Sequence, residues 1–137
     1  MISVAEIVRQ ALVDIGQVNV SFHGGDWPAF VGSTWDLNTN MCALYDTTPI
    51  KDGRIVDTGE VIMHHGLQLL VSSLDYEIGW SKFRDVMQVI NELRNVEVTV
   101  DGTVYIIVNA KKESAAHIGI DERRRQLFSA NYLVTVN

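Results

Sequence analysis

The amino-acid sequence predicts an α+β domain, a mostly antiparallel or mixed β-sheet with two α-helices packed on one face. Three observations carry that reading. Two stretches place apolar residues at i, i+3, i+4 and i+7 behind a capping residue, the pattern of an amphipathic helix. An Asp101-Gly102 pair separates two β-rich runs, as in a tight hairpin. The chain then closes on a run that alternates apolar and polar residues.

The first helix is expected from Ser3 to Ile15, with Val4, Ile7, Val8, Ala11, Leu12 and Ile15 on its apolar face. "SVAE" has the form of a capping box, in which Ser3 accepts from the N–H of Glu6 while Glu6 reaches back. Gly16 suits the C-terminal turn. A short strand is plausible from Val18 to Phe22. Two irregular stretches without a clean period follow, at about 23–40 and 47–60, separated by the short strand "MCALYD". Loops of that length are usually functional or become ordered by a partner. Trp27, Phe30, Trp35, Lys51 and Arg54 are the candidate partner-binding residues on them, although a loop tryptophan is more often a local anchor. "EVIMHHGLQLLVSSL" reads as a strand with Leu67, Leu69 and Val71 on one face; Leu70 breaks the alternation, so both faces would be partly covered. Asp75 caps a second helix running to about Asn95, with Tyr76, Trp80, Phe83, Met87 and Ile90 as its stripe, supported by Val86 and Leu93. Gly79 should weaken it by about 1 kcal/mol relative to alanine. The hairpin register puts Val100 opposite Thr103, Val98 opposite Tyr105 and Val96 opposite Ile107, with Glu97 and Thr99 on the other face. In the last strand, Leu127 to Val136, Phe128, Ala130, Tyr132, Val134 and Val136 share one side.

The chain has 137 residues, which argues for a single domain spanning 1–137. Its formal net charge of −6 makes it a poor general binder of nucleic acid, because neutralising phosphates needs a surplus of Lys and Arg. Cys42 is the only cysteine, so neither an intrachain disulfide nor a cysteine-based zinc site can form. The N-terminal segment is too polar for a signal peptide, and no apolar run has membrane-spanning length; an intracellular origin is the expectation.

The residues assemble no reaction centre. His64 and His65 would point to opposite faces of a strand, and His23 and His117 lie far from them in sequence, so no metal is expected. "HGGD", from His23 to Asp26, has the look of an oxyanion-hole turn, but the matching nucleophile elbow is missing. Neither a phosphate loop nor a dinucleotide fingerprint occurs. Asp36, Asp46, Asp57 and Glu60 are scattered and read as solvated charges. No catalytic residue and no cofactor is therefore assigned. "DERRR", comprising Asp121, Glu122, Arg123, Arg124 and Arg125, has three readings: a solvated charged turn, a nucleic-acid contact, or a subunit interface in which the planar arginine fork pairs with carboxylates.

The order of segments from Met41 to Asn137 resembles the tail terminator proteins of long-tailed bacteriophages, which are grouped with small phage minor capsid and tail completion proteins. "GLQLLVSSLDYEIGWSKFRDVMQVINELRNVEV" has the strand-then-helix form, and "GIDERRRQLFSANYLVTVN" has the form Gly-x-Asp-x-x-x-Arg before an aromatic-rich final strand. Gly119, Asp121, Arg124, Arg125, Phe128, Asn131 and Tyr132 occupy corresponding places, and "ALYDTTP" is similar to the family's early strand and turn. Ser72 and Ser73 stand where many relatives have a basic residue, and His23 to Asn40 matches no part of the pattern. The resemblance implies a structural virion protein at the head–tail junction, made in the host cytoplasm, with no enzymatic activity and no membrane partner. Such proteins form a homo-oligomeric ring, generally a hexamer. The ring caps the tail tube, ends its polymerisation and receives the head-completion protein, and DNA only passes through it. Asp121 to Arg125 then become candidate interface residues. Another head–tail connector component, such as a stopper or tail-tube subunit, is the nearest alternative; a small hydrolase or ligand-binding domain using "HGGDW" is the more distant one.

Overall fold

A computed structural model describes residues 2–20, 27–32, 40–54 and 61–137, without the side chains of 19–20, 48–54 and 61–63. Along the chain lie α1 (Val4–Ile15), β1 (Asn19–Val20), β2 (Pro28–Val31), β3 (Met41–Arg54), β4 (Val61–Ser73), α2 (Tyr76–Asn91), β5 (Val96–Val100), β6 (Thr103–Ile120) and β7 (Gln126–Val136). The strands form one sheet in the order β1-β2-β3-β4-β7-β6-β5. β1, β2 and β3 are parallel to one another, and every pair from β3 onward is antiparallel. The expected α+β class, with two helices on a mixed sheet, is what the chain adopts.

Both helices start where side-chain caps satisfy their first N–H groups. Ser3 Oγ accepts from Glu6 N at 3.2 Å, and Asp46 Oδ1, reaching across from β3, accepts from Ala5 N at 3.0 Å. Asp75 Oδ1 accepts from Ile78 N at 3.0 Å. Gly16 ends α1 with φ of 89°, a left-handed conformation that glycine adopts at little cost. α1 buries Val4, Ile7, Val8, Ala11 and Leu12. It touches β2 and β3 towards one end of the sheet and β5 at the other. One helix can reach both only if the sheet curls around it. The core between sheet and helices is filled by Cys42, Leu44, Leu67, Leu69, Val71, Phe128, Ala130, Tyr132 and Val134 from the strands. Burial pushes the Cys42 thiol up to about 12, so it stays protonated and acts as a small apolar side chain. Tyr132 is buried too, its phenol pushed up by desolvation and its hydroxyl directed at the Met87 carbonyl, 3.4 Å away.

The hairpin has the expected register, Val100 with Thr103, Val98 with Tyr105 and Val96 with Ile107. Asp101 (φ 49°) and Gly102 (φ 79°) carry the two positive dihedrals that such a turn needs.

Several elements depart from the pattern-based reading. α2 ends at Asn91, before the expected Asn95, which instead takes a φ of 52° and turns the chain into β5. Residues 28–31, expected to be irregular, form strand β2. Its Ala29 and Phe30 are buried on opposite faces, so no alternation marks it, and Pro28 occupies the first strand position, where no ladder N–H is required. "TTPIKDGR" is likewise strand rather than loop: β3 runs on to Arg54, with irregularities between Thr47 and Ile50 and between Lys51 and Gly53 that accommodate Pro49. β6 extends to Ile120, through a segment exposed on both faces and therefore without periodic signal. Phe30, Met41 and Ala43 are buried on the face away from the helices, consistent with the expectation that both faces are partly covered.

Candidate assembly surfaces

"DERRR" closes the β6–β7 hairpin. Asp121 Oδ1 accepts from the backbone N–H groups of Arg123 and Arg125, both at 2.9 Å, and Asp121 Oδ2 accepts from Arg125 Nε at 2.7 Å. The backbone closes the same turn through Asp121 N to Arg125 O and Arg124 N to Asp121 O. An aspartate suits this place because its short side chain bonds to backbone a few residues on. Arg124 adopts a φ of 61°, the left-handed conformation that lets the chain reverse. Arg125 is only 8% exposed. Of the five candidate interface residues, Asp121 and Arg125 thus hold the turn together within one chain, while Glu122, Arg123 and Arg124 are exposed on it.

Partial burial pushes the Asp121 carboxyl up, but hydrogen bonds from Arg125, through backbone and side chain, and from the Arg123 N–H outweigh it and hold the group below its ordinary 3.8. A depressed carboxylate stabilises the fold above its unfolded-state value, and this contribution is lost as pH falls through the folded-state value. Asp121→Asn is expected to cost about 1–2 kcal/mol near neutral pH, the scale of a charge-assisted bond. The gap between wild type and variant should close on acidification from about pH 5 to pH 2. Urea denaturation across that range checks it; a gap independent of pH would mean that the ion pair contributes nothing.

The loop candidates fare differently. Trp27 is half-buried against the core with a φ of 60°, and Lys82 Nζ stands 5.6 Å from its ring centre. Lys82 also donates to Gln17 Oε1 at 3.3 Å. Trp27 therefore ties β2 to α2, and with Glu77, Ile78, Ser81, Lys82 and Asp85 it lines a shallow groove of about 370 Å³. Phe30, taken from sequence as a loop residue open to partners, is instead buried in β2 at 3% exposure, because its strand pairs with β3. Lys51 and Arg54 belong to strand β3 rather than to a loop. Trp35 lies outside the described residues, as do His23 and Asp26.

Sequence reasoning missed a surface at the start of α2. The expected stripe holds for Phe83, Met87 and Ile90, with Val86 and Leu93, but Tyr76 and Trp80 remain 47% and 41% exposed. The helix is turned so that Gly79 faces the sheet, against the ring of Phe128. Tyr76 and Trp80 flank that contact, with ring centres 5.5 and 6.0 Å from Phe128. His117 of β6 completes the group, 5.2 Å from Tyr76 and 5.1 Å from Phe128. Leu74, Ile78, Ile118 and Ile120 are exposed large aliphatic residues on the adjoining segments. Exposed apolar residues clustered in this way mark contact surfaces more often than scattered ones do. The signal available in the sequence was the surplus of aromatic residues on α2 over what one helix face can bury.

His64 and His65 occupy opposite faces of β4; His64 Nδ1 lies 2.8 Å from Thr135 Oγ1 on the face away from the helices. Among the described residues no three His, Cys, Asp or Glu side chains gather where they could hold a metal ion. Among the same residues no helix is long and apolar enough to cross a membrane. No protein-family model matches the chain, and a search of curated proteins finds no match.

Proposed function

We propose that this chain is a structural virion protein of the tail-terminator kind, a ring of six copies at the head–tail junction of a long-tailed phage. It would stop tail-tube polymerisation on one side and receive the head-completion protein on the other, with DNA passing through the hole and no chemistry performed. The observation that carries the reading is the unbroken β4–α2–β5–β6–β7 block. It follows the order of segments on which the resemblance rests, as one curled sheet with one helix across it. The exposed aromatic and aliphatic patch at the start of α2 supports an assembling protein, since such surfaces are usually covered in a partner complex. A net charge of −6 suits a passage that must let DNA slide, because like charge opposes tight phosphate binding.

Light scattering at high protein concentration, with negative-stain micrographs of the protein alone and on purified tail tubes, tests this. Rings of six at tube ends are expected. A protein that stays monomeric and forms no rings on tubes would sink the proposal, and labelling along the tube rather than at its head end would assign a tube subunit instead. Within the ring, Arg123 or Arg124 is expected to meet a neighbour's carboxylate. Arg123→Glu and Arg124→Glu should reduce ring formation while leaving the circular dichroism of the monomer unchanged. Arg125→Glu is a poor probe, because it also breaks the intrachain pair with Asp121.

A further inference from the structure

β6 is 18 residues long, but β5 pairs with it only from Thr103 to Ile107. Its other edge is occupied by β7 from Ile107 to Ile120. On the β5 side, the bond from Asn95 N to Val108 O at 3.1 Å is the last backbone bond among the described residues. From Asn109 to Ile120 no described residue pairs with this edge of the strand. Natural edges are usually blunted by charge or proline. Lys111, Lys112 and Glu113 guard the first part of this one, but "SAAHIGI", from Ser114 to Ile120, contains neither. The register shifts along β6, including that between His117 and Gly119, are bulges of the kind that also blunt an edge; they bend the strand without covering it and restrict pairing to a strand with matching coil. Immediately beside this stretch lie the half-exposed Tyr76 and Trp80, and on it Ile118 and Ile120, 55% and 62% exposed. Open backbone beside an apolar platform is the arrangement by which a sheet accepts an added strand.

Among the described residues the chain has a second edge without a paired strand. β2 pairs with β3 only from Cys42 to Leu44, so from Asp46 to Arg54 no described strand lies on that side of β3. β3, β4, β7 and β6 alternate in direction, so β6 runs opposite to β3. A copy set beside the first by a ring rotation would offer its β3 antiparallel to β6. The free stretches lie at diagonally opposite corners, because the row Met41–Ser72–Leu127–Gly119 puts the covered end of β3 level with the open end of β6. They cannot meet within one chain, and between chains they meet with a stagger along the strands, as strands do when a sheet closes into a ring.

We propose that copies of this chain join head to tail by antiparallel pairing of the β6 edge, Lys111 to Ile120, with the β3 edge, Asp46 to Arg54, of the next copy, the added strand lying against Tyr76 and Trp80. Two unlike edges make a heterologous contact that can close a ring, whereas β6 against β6 would stop at a dimer. The inference rests on the ring-forming reading above and names its interface.

The native thiol, Cys42, is buried and protonated, so introduced cysteines can report on the contact. Lys51→Cys combined in turn with Ser114→Cys, Ala116→Cys or Ile118→Cys covers the neighbouring registers. Under mild oxidation at least one pair is expected to give a ladder of cross-linked species up to the ring, while each single variant gives none. Separately, Ile118→Lys with Ile120→Lys should convert rings to monomers with unchanged circular dichroism, both side chains being exposed already. If the wild-type chain forms rings but no pair gives a ladder, if a β6 single variant cross-links to itself, or if the lysine variant still forms rings, this pairing is wrong and the ring reading survives. If the wild-type chain forms no rings, either alone or on tail tubes, both fall together.

Discussion

Phe128→Ala is expected to destabilise the domain by about 3–5 kcal/mol, the range for removing a fully buried aromatic side chain. Phe128 is completely buried in β7 and stands at the centre of a ring cluster. Its centroid lies 5.4 Å from Phe83 in a stacked arrangement, 5.5 Å from Tyr76, 6.0 Å from Trp80 and 5.1 Å from His117. Each aromatic contact adds about 0.5–1.5 kcal/mol beyond area burial, and the void left by alanine would be lined by rings too stiff to fill it. The loss should also reach the surface, because Tyr76 and Trp80 rest on this side chain. Urea denaturation supplies the energy, and near-ultraviolet circular dichroism reports the aromatic packing. Phe128→Leu, which retains much of the volume, should cost clearly less. A loss below about 1 kcal/mol for the alanine variant would show that the cluster collapses around the gap, against the packing described.

The second large effect reverses what helix propensity suggests. In an exposed helix, Gly→Ala stabilises by about 1 kcal/mol. At Gly79 an added Cβ would lie 2.8 Å from Cε2 of Phe128 and 3.0 Å from Cβ of Ser73. The Phe128 ring is held on its other sides, and the Ser73 Cβ moves only with the backbone of β4, so neither yields cheaply. Ser73 Oγ is further tied to Asn40 Oδ1 at 2.7 Å and accepts from Asp75 N at 3.2 Å. Gly79→Ala is accordingly expected to destabilise by about 1 kcal/mol and Gly79→Val by about 2–3 kcal/mol, the range for overpacking. Thermal denaturation of the series tests the sign as much as the size. Stabilisation by alanine would mean that α2 stands off the sheet further than described.

The contrast at Gly79 shows where sequence patterns reach and where they stop. The glycine was visible as a weak point in a helix, with a known local cost. Its use as a contact surface for Phe128, a residue 49 positions away, depends on where α2 settles on the sheet. The same holds for Tyr76 and Trp80: they obey helical spacing and read as core, but a helix on a curved sheet cannot bury every apolar residue on that side. For "DERRR", the spacing of Asp121 to Arg125 was legible, but not their pairing, which depends on a left-handed Arg124 bringing the chain back on itself. Phe30 reads as a loop residue because the four-residue strand Pro28–Val31, buried on both faces, leaves no period to detect.

The sequence by itself determined what is local. The Ser3 and Asp75 caps, the Asp101-Gly102 turn with its register, and the buried side of β7 all follow from contacts within a few residues, where spacing maps directly onto geometry. The tertiary structure decided what is distant: the order of the strands, the curl of the sheet around α1, the burial of Phe30 and Arg125, and the edges of β3 and β6 that no described strand pairs with. Those features depend on which strand lies beside which. An edge is open or closed according to its neighbours, which lie far from it in sequence.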